Sequence, residues 1–253
     1  MVRLPDTNTH PSSAHLHILP SAHSPPMLDR TLTLLLNGSQ SLYVDGIAWT
    51  ATQTITWVPL AIVLFYVILQ GNTLSGTLRI VASIALCILL ADQMASSMCK
   101  PLVARWRPTH NPAFMYAVDI VRGYRGGNYG FFSSHAANTM AVATFTSLLV
   151  RHRALTLWLY SWVMLNCWTR VYLGVHYVGD LTVGLLWGAL VGWSIYHLII
   201  ARWQTQLLQQ SSTPLVNNST TPTGYTLRSL HIFIVCILLT YLYVAFKALG
   251  FEG

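Results

Sequence analysis

Charged side chains make up only 8% of the 253 residues, while 53% are hydrophobic. That is too few charges to cover the surface of a water-soluble domain of this size, and burial in a membrane explains the deficit. Acids are scarcer still: seven Asp and Glu stand against 14 Lys and Arg, for a net charge of +7. That excess by itself permits anionic lipid, phosphate or nucleic acid as partner, so the placement of the charges has to decide. Cysteine is sparse and unpaired in pattern. Cys87, Cys167 and Cys236 lie inside apolar runs and Cys99 at the end of one; without CxxC spacing they indicate neither a disulfide framework nor a zinc site. Modest glycine and proline contents and 11% aromatic residues exclude collagen-like, disordered and coiled-coil chains. The length fits one compact integral-membrane domain.

What is present is a series of apolar runs. Six stretches, about Thr54–Gln70, Arg79–Met98, Ser134–Val150, Ala154–Thr169, Tyr177–Ile200 and Leu230–Ala248, approach the roughly 20 residues that cross a bilayer as helix. The expected fold is an all-α, multi-pass membrane bundle of about six spans. Met27 to Thr50 is interrupted by Asp29, Arg30, Asn37 and Asp45, too polar for hydrocarbon, and is expected to be an N-terminal interfacial helix. Residues 1–26, rich in Pro, Ser, Thr and His, read as a disordered tail. A helical core is expected over 27–200, a polar linker over 201–229 and an additional C-terminal transmembrane helix over 230–253.

Alternate threading puts the N-terminus, the loop 99–133, the connection Arg170–His176 and the C-terminus on one membrane face. The other face holds Arg79, Arg151, Arg153, Arg202 and Arg228 and no acid. These arginines occupy short loops at span ends, which marks their face as cytoplasmic and the first face as extracytoplasmic.

Chemistry-bearing residues gather on the first face. The sequence reads Lys100-x6-Arg107-Pro108, then Phe132-Ser133-Ser134-His135, then Arg170-x5-His176-x3-Asp180. Asp180 follows His176 by one helical turn, so its carboxylate can accept from one ring nitrogen and leave the other as a neutral nucleophile. Ser133, with the Ser134 and His135 amides at a helix N-terminus, is a donor set for phosphate oxygens. Lys100, Arg107 and Arg170 add three positive charges, suited to a phosphoryl group in transfer. His135 can protonate the leaving oxygen. Singly, each piece has a structural explanation as a span-flanking base, a helix cap or a hydrogen-bonded pair; together, in a charge-poor chain, they indicate a catalytic pocket.

At these residues the chain resembles the type 2 phosphatidic acid phosphatase family, over about Leu28 to Ile200. The family pattern is Lys-x6-Arg-Pro, Pro-Ser-Gly-His and Ser-Arg-x5-His-x3-Asp, and the same superfamily includes vanadium haloperoxidases. The resemblance implies that Lys100, Arg107 and Arg170 bind phosphate, that Ser133 and the Ser134 amide complete the cradle, and that His135 is the general acid. It implies a phosphohistidine on His176 oriented by Asp180, hydrolysed by water, with no metal or other cofactor. Phe132, Ser134 and Thr169 depart from the pattern. Ser134 matters most, because a side chain stands where the backbone approaches phosphate; helical φ would accommodate it.

The expected partners are the lipid bilayer and a membrane lipid phosphate, not nucleic acid. Substrates like those of bacterial relatives are undecaprenyl diphosphate, lipid A phosphate, phosphatidylglycerophosphate and phosphatidate, met on the extracytoplasmic face of a bacterial inner membrane. Arg105, Arg122 and Arg125 are further candidates for headgroup contact. Asp92 is expected to pair with a loop arginine. A lipid phosphotransferase using the same intermediate is the nearest rival. A haloperoxidase is disfavoured by the spans, and a transporter by the clustering of ionisable residues at one face.

Overall fold

The computed structural model describes residues 25–204 and 219–252. Residues 1–24 of the expected tail and 205–218 of the expected linker therefore lie outside the described residues. The rest is helical: α1 (Met27–Leu36), α2 (Leu42–Thr52), α3 (Val58–Gly71), α4 (Leu74–Gln93), α5 (Lys100–Val103), α6 (Ser134–Val150), α7 (Arg153–Tyr172), α8 (Val178–Ile195) and α9 (Leu227–Leu249). Small polar residues start several of them. Ser41, Thr73, Ser133 and Thr226 each accept a bond from a first-turn backbone N–H, and the ring of His152 does so for α7, which satisfies donors that the helix itself leaves orphaned.

Among the described residues, four helical stretches are long and apolar enough to cross a membrane: Thr54–Gly71, Leu74–Val103, Val178–Gln204 and Leu227–Leu249. The other two expected spans, α6 and α7, form the middle of the bundle. α6 is 17 residues long, short of the ~20 that cross unaided. Apolar side chains cover the outside, among them Ile62, Leu69, Leu78, Leu89, Leu186, Leu190, Leu239 and Phe246, an exposed belt that a soluble protein does not carry.

Where one interfacial helix was expected over Met27–Thr50, there are two. The break falls at Asn37–Gly38, where Gly38 takes φ +65 and Asn37 donates to the Tyr172 and Asp119 carbonyls at 2.8 and 3.1 Å. A left-handed residue ends a helix, and a side-chain amide bonded to distant backbone fixes where. α1 packs on α7 and α8, and α2 on α9 and α7.

The closest contact in the molecule is α6 against α8. Gly184, Gly188 and Gly192 fall at every fourth position of α8. A Cβ on Gly184 would lie 2.7 Å from the Ser133 carbonyl, and those on Gly188 and Gly192 would strike the carbonyls of Ala137 and Ala141. Small residues at this spacing let two backbones touch, as in membrane helix pairs generally. The consequence for the site is direct: the start of α6, with Ser133 to His135, is held against the start of α8, with Asp180.

Candidate active site

Three chain segments build the site, each oriented by its own local structure. α4 continues through a widened turn, Met94–Cys99, into α5; such π-type turns recur at functional sites. Ala104, in the left-handed region at φ 46, then stops the helix, and residues 105–107 run beside 128–130. Arg107 N–H donates to the Asn128 carbonyl at 3.0 Å and Gly130 N–H to the Arg105 carbonyl at 2.9 Å. In extended backbone, alternate side chains share a face. Trp106 accordingly stacks outward on Tyr129, with centroids 5.2 Å apart, while Arg105 and Arg107 both point inward and are buried.

The α7–α8 connection is equally constrained. Val175 and His176 N–H both donate to the Arg170 carbonyl at 3.1 and 3.2 Å, and Thr109 N–H donates to Gly174 O at 3.2 Å. Gly174 takes φ +66.

Arg107 Nη1 donates to the Val175 carbonyl at 3.0 Å and lies 3.2 Å from His176 Nε2. A guanidinium only donates, so Nε2 is the acceptor and the ring proton sits on Nδ1. Nδ1 faces Asp180 Oδ2 at 3.5 Å. Burial, reinforced by the charges of Arg107 and Arg170, holds the His176 imidazole well below its ordinary pKa of 6.5, so the neutral, nucleophilic form persists. Burial, then the proximity of Arg170, also lowers Arg107, to about 10.

Asp180 Oδ2 accepts from Tyr177 N–H at 3.0 Å, and Oδ1 accepts from Arg105 Nη1 at 2.9 Å. Arg105 also pairs with Asp29 of α1 and lies 4.5 Å over the Tyr177 ring. Two carboxylates thus hold the guanidinium of Arg105, the residue expected at a headgroup, inside the protein. Asp29 in turn accepts from Gly179 N–H at 2.8 Å, tying α1 to the start of α8.

Lys100 Nζ donates to Ser134 Oγ at 2.6 Å and to Ser96 Oγ at 3.1 Å. Arg170 donates to Thr52 Oγ1 at 2.5 Å and to the Tyr124 hydroxyl at 3.2 Å. Ser133 is wholly buried and its Oγ caps α6, accepting from Ala136 N–H at 3.4 Å. Ser134 has helical, negative φ, as its placement in α6 requires. Phe132 is buried in the core, edge-on to Phe131.

A cavity of about 780 Å³ opens in front of these groups. Lys100, Arg107, Ser134, His135, Arg170 and His176 line one end, with Tyr124, Gly126 and Gly127 beside them. Ser133 and Asp180 stand behind the wall. Leu64, Phe65, Ile84, Ile88, Val142 and Phe233 line the other end. Arg122 and Arg125 are absent from the lining. Arg122 lies over Phe251 at 4.4 Å and bonds the Glu252 carbonyl, and Arg125 donates to Thr109 O at 2.9 Å. Asp92, expected to meet an arginine, instead accepts from Ser96 Oγ at 3.4 Å and Asn138 Nδ2 at 3.5 Å. The loop arginines point away from it, toward Asp180, His176 and the loop backbone.

Sequence reasoning missed Thr52 and Tyr124, the anchors of Arg170, and Asp29. Only Asp29 left a signal, as an acid in an otherwise apolar amphipathic stretch.

Two imidazoles, three cations and an apolar trough in one cavity of a helix bundle are the equipment of a membrane phosphatase. Residues 77–204 match the PAP2 superfamily. A lipid A 4'-phosphatase of Porphyromonas gingivalis is 37% identical over 179 residues, covering 70% of this chain and 76% of that protein. One of Bacteroides thetaiotaomicron is 40% identical over 183 residues, covering 70% and 81%. In fold, the chain is similar to the crystal structure of a transmembrane PAP2 type phosphatidylglycerolphosphate phosphatase from Bacillus subtilis, with a TM-score of 0.52 and 18% identity, over 68% of this chain and 84% of that one. The chain belongs to the PAP2 superfamily, and it is a multi-pass membrane lipid phosphate phosphatase of that type.

Proposed function

We propose that this chain removes a phosphate from an acylated saccharolipid of the lipid A class, at the extracytoplasmic face of a bacterial inner membrane, through a phosphohistidine on His176. The observation that carries the reading is the cavity, whose cationic end is continuous with an apolar trough: one end suits a phosphate, the other acyl chains. The names of the two curated relatives favour lipid A among lipid phosphates.

In the proposed reaction Lys100, Arg107 and Arg170 bind the non-bridging oxygens and gather the charge that spreads over them in transfer. His176 Nε2 releases Arg107 to the phosphate and attacks phosphorus, while the bond to the sugar oxygen breaks and His135 donates the proton that oxygen takes. Asp180 holds the Nδ1 edge and offsets the positive charge arising on the ring. Water then attacks phosphorus, His135 takes its proton, and the P–N bond breaks to regenerate neutral His176 and release inorganic phosphate. Ser134 Oγ, already bonded to Lys100, orients that lysine.

The helix ends support six crossings. Asp29, Thr52, Lys100, Ser134, Arg170 and Asp180 meet at the site, whereas Arg79 stacks on Trp203 at 5.0 Å and Arg151 bonds the Tyr196 hydroxyl at 3.1 Å among the opposite helix ends. The arginines of that opposite end favour its placement in the cytoplasm. In this scheme 27–200 is the catalytic core, 201–229 a linker and 230–253 an added helix that closes the trough through Phe233.

The test is phosphate release by detergent-purified protein, without added alcohol acceptor, across lipid A, undecaprenyl diphosphate, phosphatidylglycerophosphate and phosphatidate. Highest kcat/KM is expected on lipid A. No release from any lipid without an alcohol present would show a phosphotransferase instead.

A further inference from the structure

Between the phosphate cradle and the apolar trough the cavity wall carries a polar step that the proposed chemistry does not use. Asp92 lies one turn below Ser96 on α4 and Asn138 one turn below Ser134 on α6, each about 6 Å deeper along its helix. Both line the cavity; Thr139 beside Asn138 spends its hydroxyl on the His135 carbonyl at 2.7 Å, and one turn further inward the lining residues Ile88 and Val142 are apolar. Asn138 turns its Nδ2 toward Asp92 at 3.5 Å, which leaves its Oδ1 buried with no hydrogen-bond partner. Among the described residues Asp92 has two donors, Ser96 Oγ at 3.4 Å and Asn138 Nδ2 at 3.5 Å, both at the outer limit of hydrogen bonding. A carboxylate accepts and does not donate, and so does an amide oxygen. Two under-supplied acceptors therefore sit at one depth on residues of the cavity wall, in a part of the bilayer where ionisable side chains are rare and tend to serve function; a turn of the Asn138 amide about its side-chain torsion would bring its Oδ1 to the cavity.

We propose that Asp92 and Asn138 form a subsite for the polar linkage of the substrate, accepting hydrogen bonds from hydroxyl or amide N–H groups that lie a few bonds from the phosphate. The inference rests on the reading of the cavity as a lipid phosphate site and narrows the class of lipid. An acylated amino sugar bears such donors. A diacylglycerol phosphate presents only ester oxygens at that depth, and acceptor against acceptor leaves the buried groups unpaired. The pair thus selects donor-bearing lipid phosphates by penalising glycerolipid ones.

The experiment compares kcat/KM for lipid A, ceramide 1-phosphate and phosphatidate in the full chain, the wild type beside Asp92→Asn and Asn138→Leu. Ceramide 1-phosphate supplies a hydroxyl and an amide N–H on a two-chain lipid; phosphatidate supplies neither. Selectivity is the ratio of kcat/KM on ceramide 1-phosphate to that on phosphatidate within one preparation, so loss of folded protein cancels. Asp92→Asn is expected to lower the ratio about tenfold, the scale of a hydrogen bond to a charged group, and Asn138→Leu to lower it less. An unchanged ratio in both variants overturns the proposal. So does an equal fall on all three lipids, which would mean that Asp92 acts only through Ser96 to steady Lys100. If a variant turns over too slowly, the same ratio is read from the melting-temperature shifts that ceramide 1-phosphate and phosphatidate induce in that variant combined with His176→Ala, and equal shifts overturn it. If the wild type spares lipid A while the ceramide ratio still falls in Asp92→Asn, the subsite stands and the lipid A reading is the one that fails.

Discussion

His176 is both the proposed nucleophile and the residue whose surroundings most alter its chemistry. It is buried, two arginines flank it, and the depressed pKa keeps its lone pair free at pH values where an exposed histidine is half protonated. The acid limb of kcat/KM is therefore expected below pH 6.5, because protonation of the free enzyme at His176 removes the nucleophile and the folded site resists that protonation. A limb at or above 6.5 would assign it to another group. The same depression links to stability: the unfolded chain binds this proton near 6.5 and the folded chain does not, so the contribution is complete above 6.5 and is lost as pH falls through the folded value. His176→Ala is expected to cost at least about 10³-fold in phosphate release. His135→Ala should cost about 10²- to 10⁴-fold, most on substrates with poor leaving groups; equal loss on an activated aryl phosphate would deny it the role of acid. Arg105 belongs to this scale too. Removing its charge in Arg105→Leu leaves the buried Asp180 and the half-buried Asp29 without their shared counter-ion, a loss of about 3–5 kcal/mol to be measured by thermal unfolding in detergent.

Among the elements, α6 and α8 decide the geometry. Their glycine-to-carbonyl contacts at Gly184, Gly188 and Gly192 leave no room for a larger residue. Gly188→Leu is expected to destabilise the bundle by about 1–3 kcal/mol or more and to lower activity by parting Ser133 and His135 from Asp180. A stable, fully active Gly188→Leu would show that the helices can separate without harm to the site. The four-residue glycine repeat was present in the sequence and carries a recognisable physical meaning. The pairing of residues 105–107 with 128–130 was not, since a stretch of three residues has too little periodicity to reveal a face. For that reason Arg107 was legible, through the fixed spacing from Lys100, while for Arg105, two residues away on the same face, the sequence offered a headgroup contact and no sign of its pairing with Asp29 and Asp180.

At the scale of the whole molecule, the proposed topology has the described helices α3, α4, α6, α7, α8 and α9 alternate between two ends. The site gathers at one end and Arg79, Arg151, Arg153, Arg202 and Arg228 belong to the other. A reporter fused after Gln210 is expected to read cytoplasmic; an extracytoplasmic signal would invert the protein and place the cavity on the inner leaflet. The added helix α9 packs on α2 and α3, and its Phe233 lines the cavity.

The amino-acid order alone determined the medium and the chemistry. Apolar runs of membrane length with few charges admit only a helical bundle in lipid, where every backbone group must be satisfied within its own segment. Residues at fixed spacings, Lys100 to Arg107 and His176 to Asp180, show their grouping through helix and loop geometry. Tertiary structure alone decided which cations a carboxylate claims. Arg105 is consumed by Asp29 and Asp180, partners 76 and 75 positions away, whereas Arg107, Arg170 and Lys100 are held at the cavity wall. A carboxylate neutralises whichever guanidinium packing brings to it, and no local pattern records a meeting across that separation.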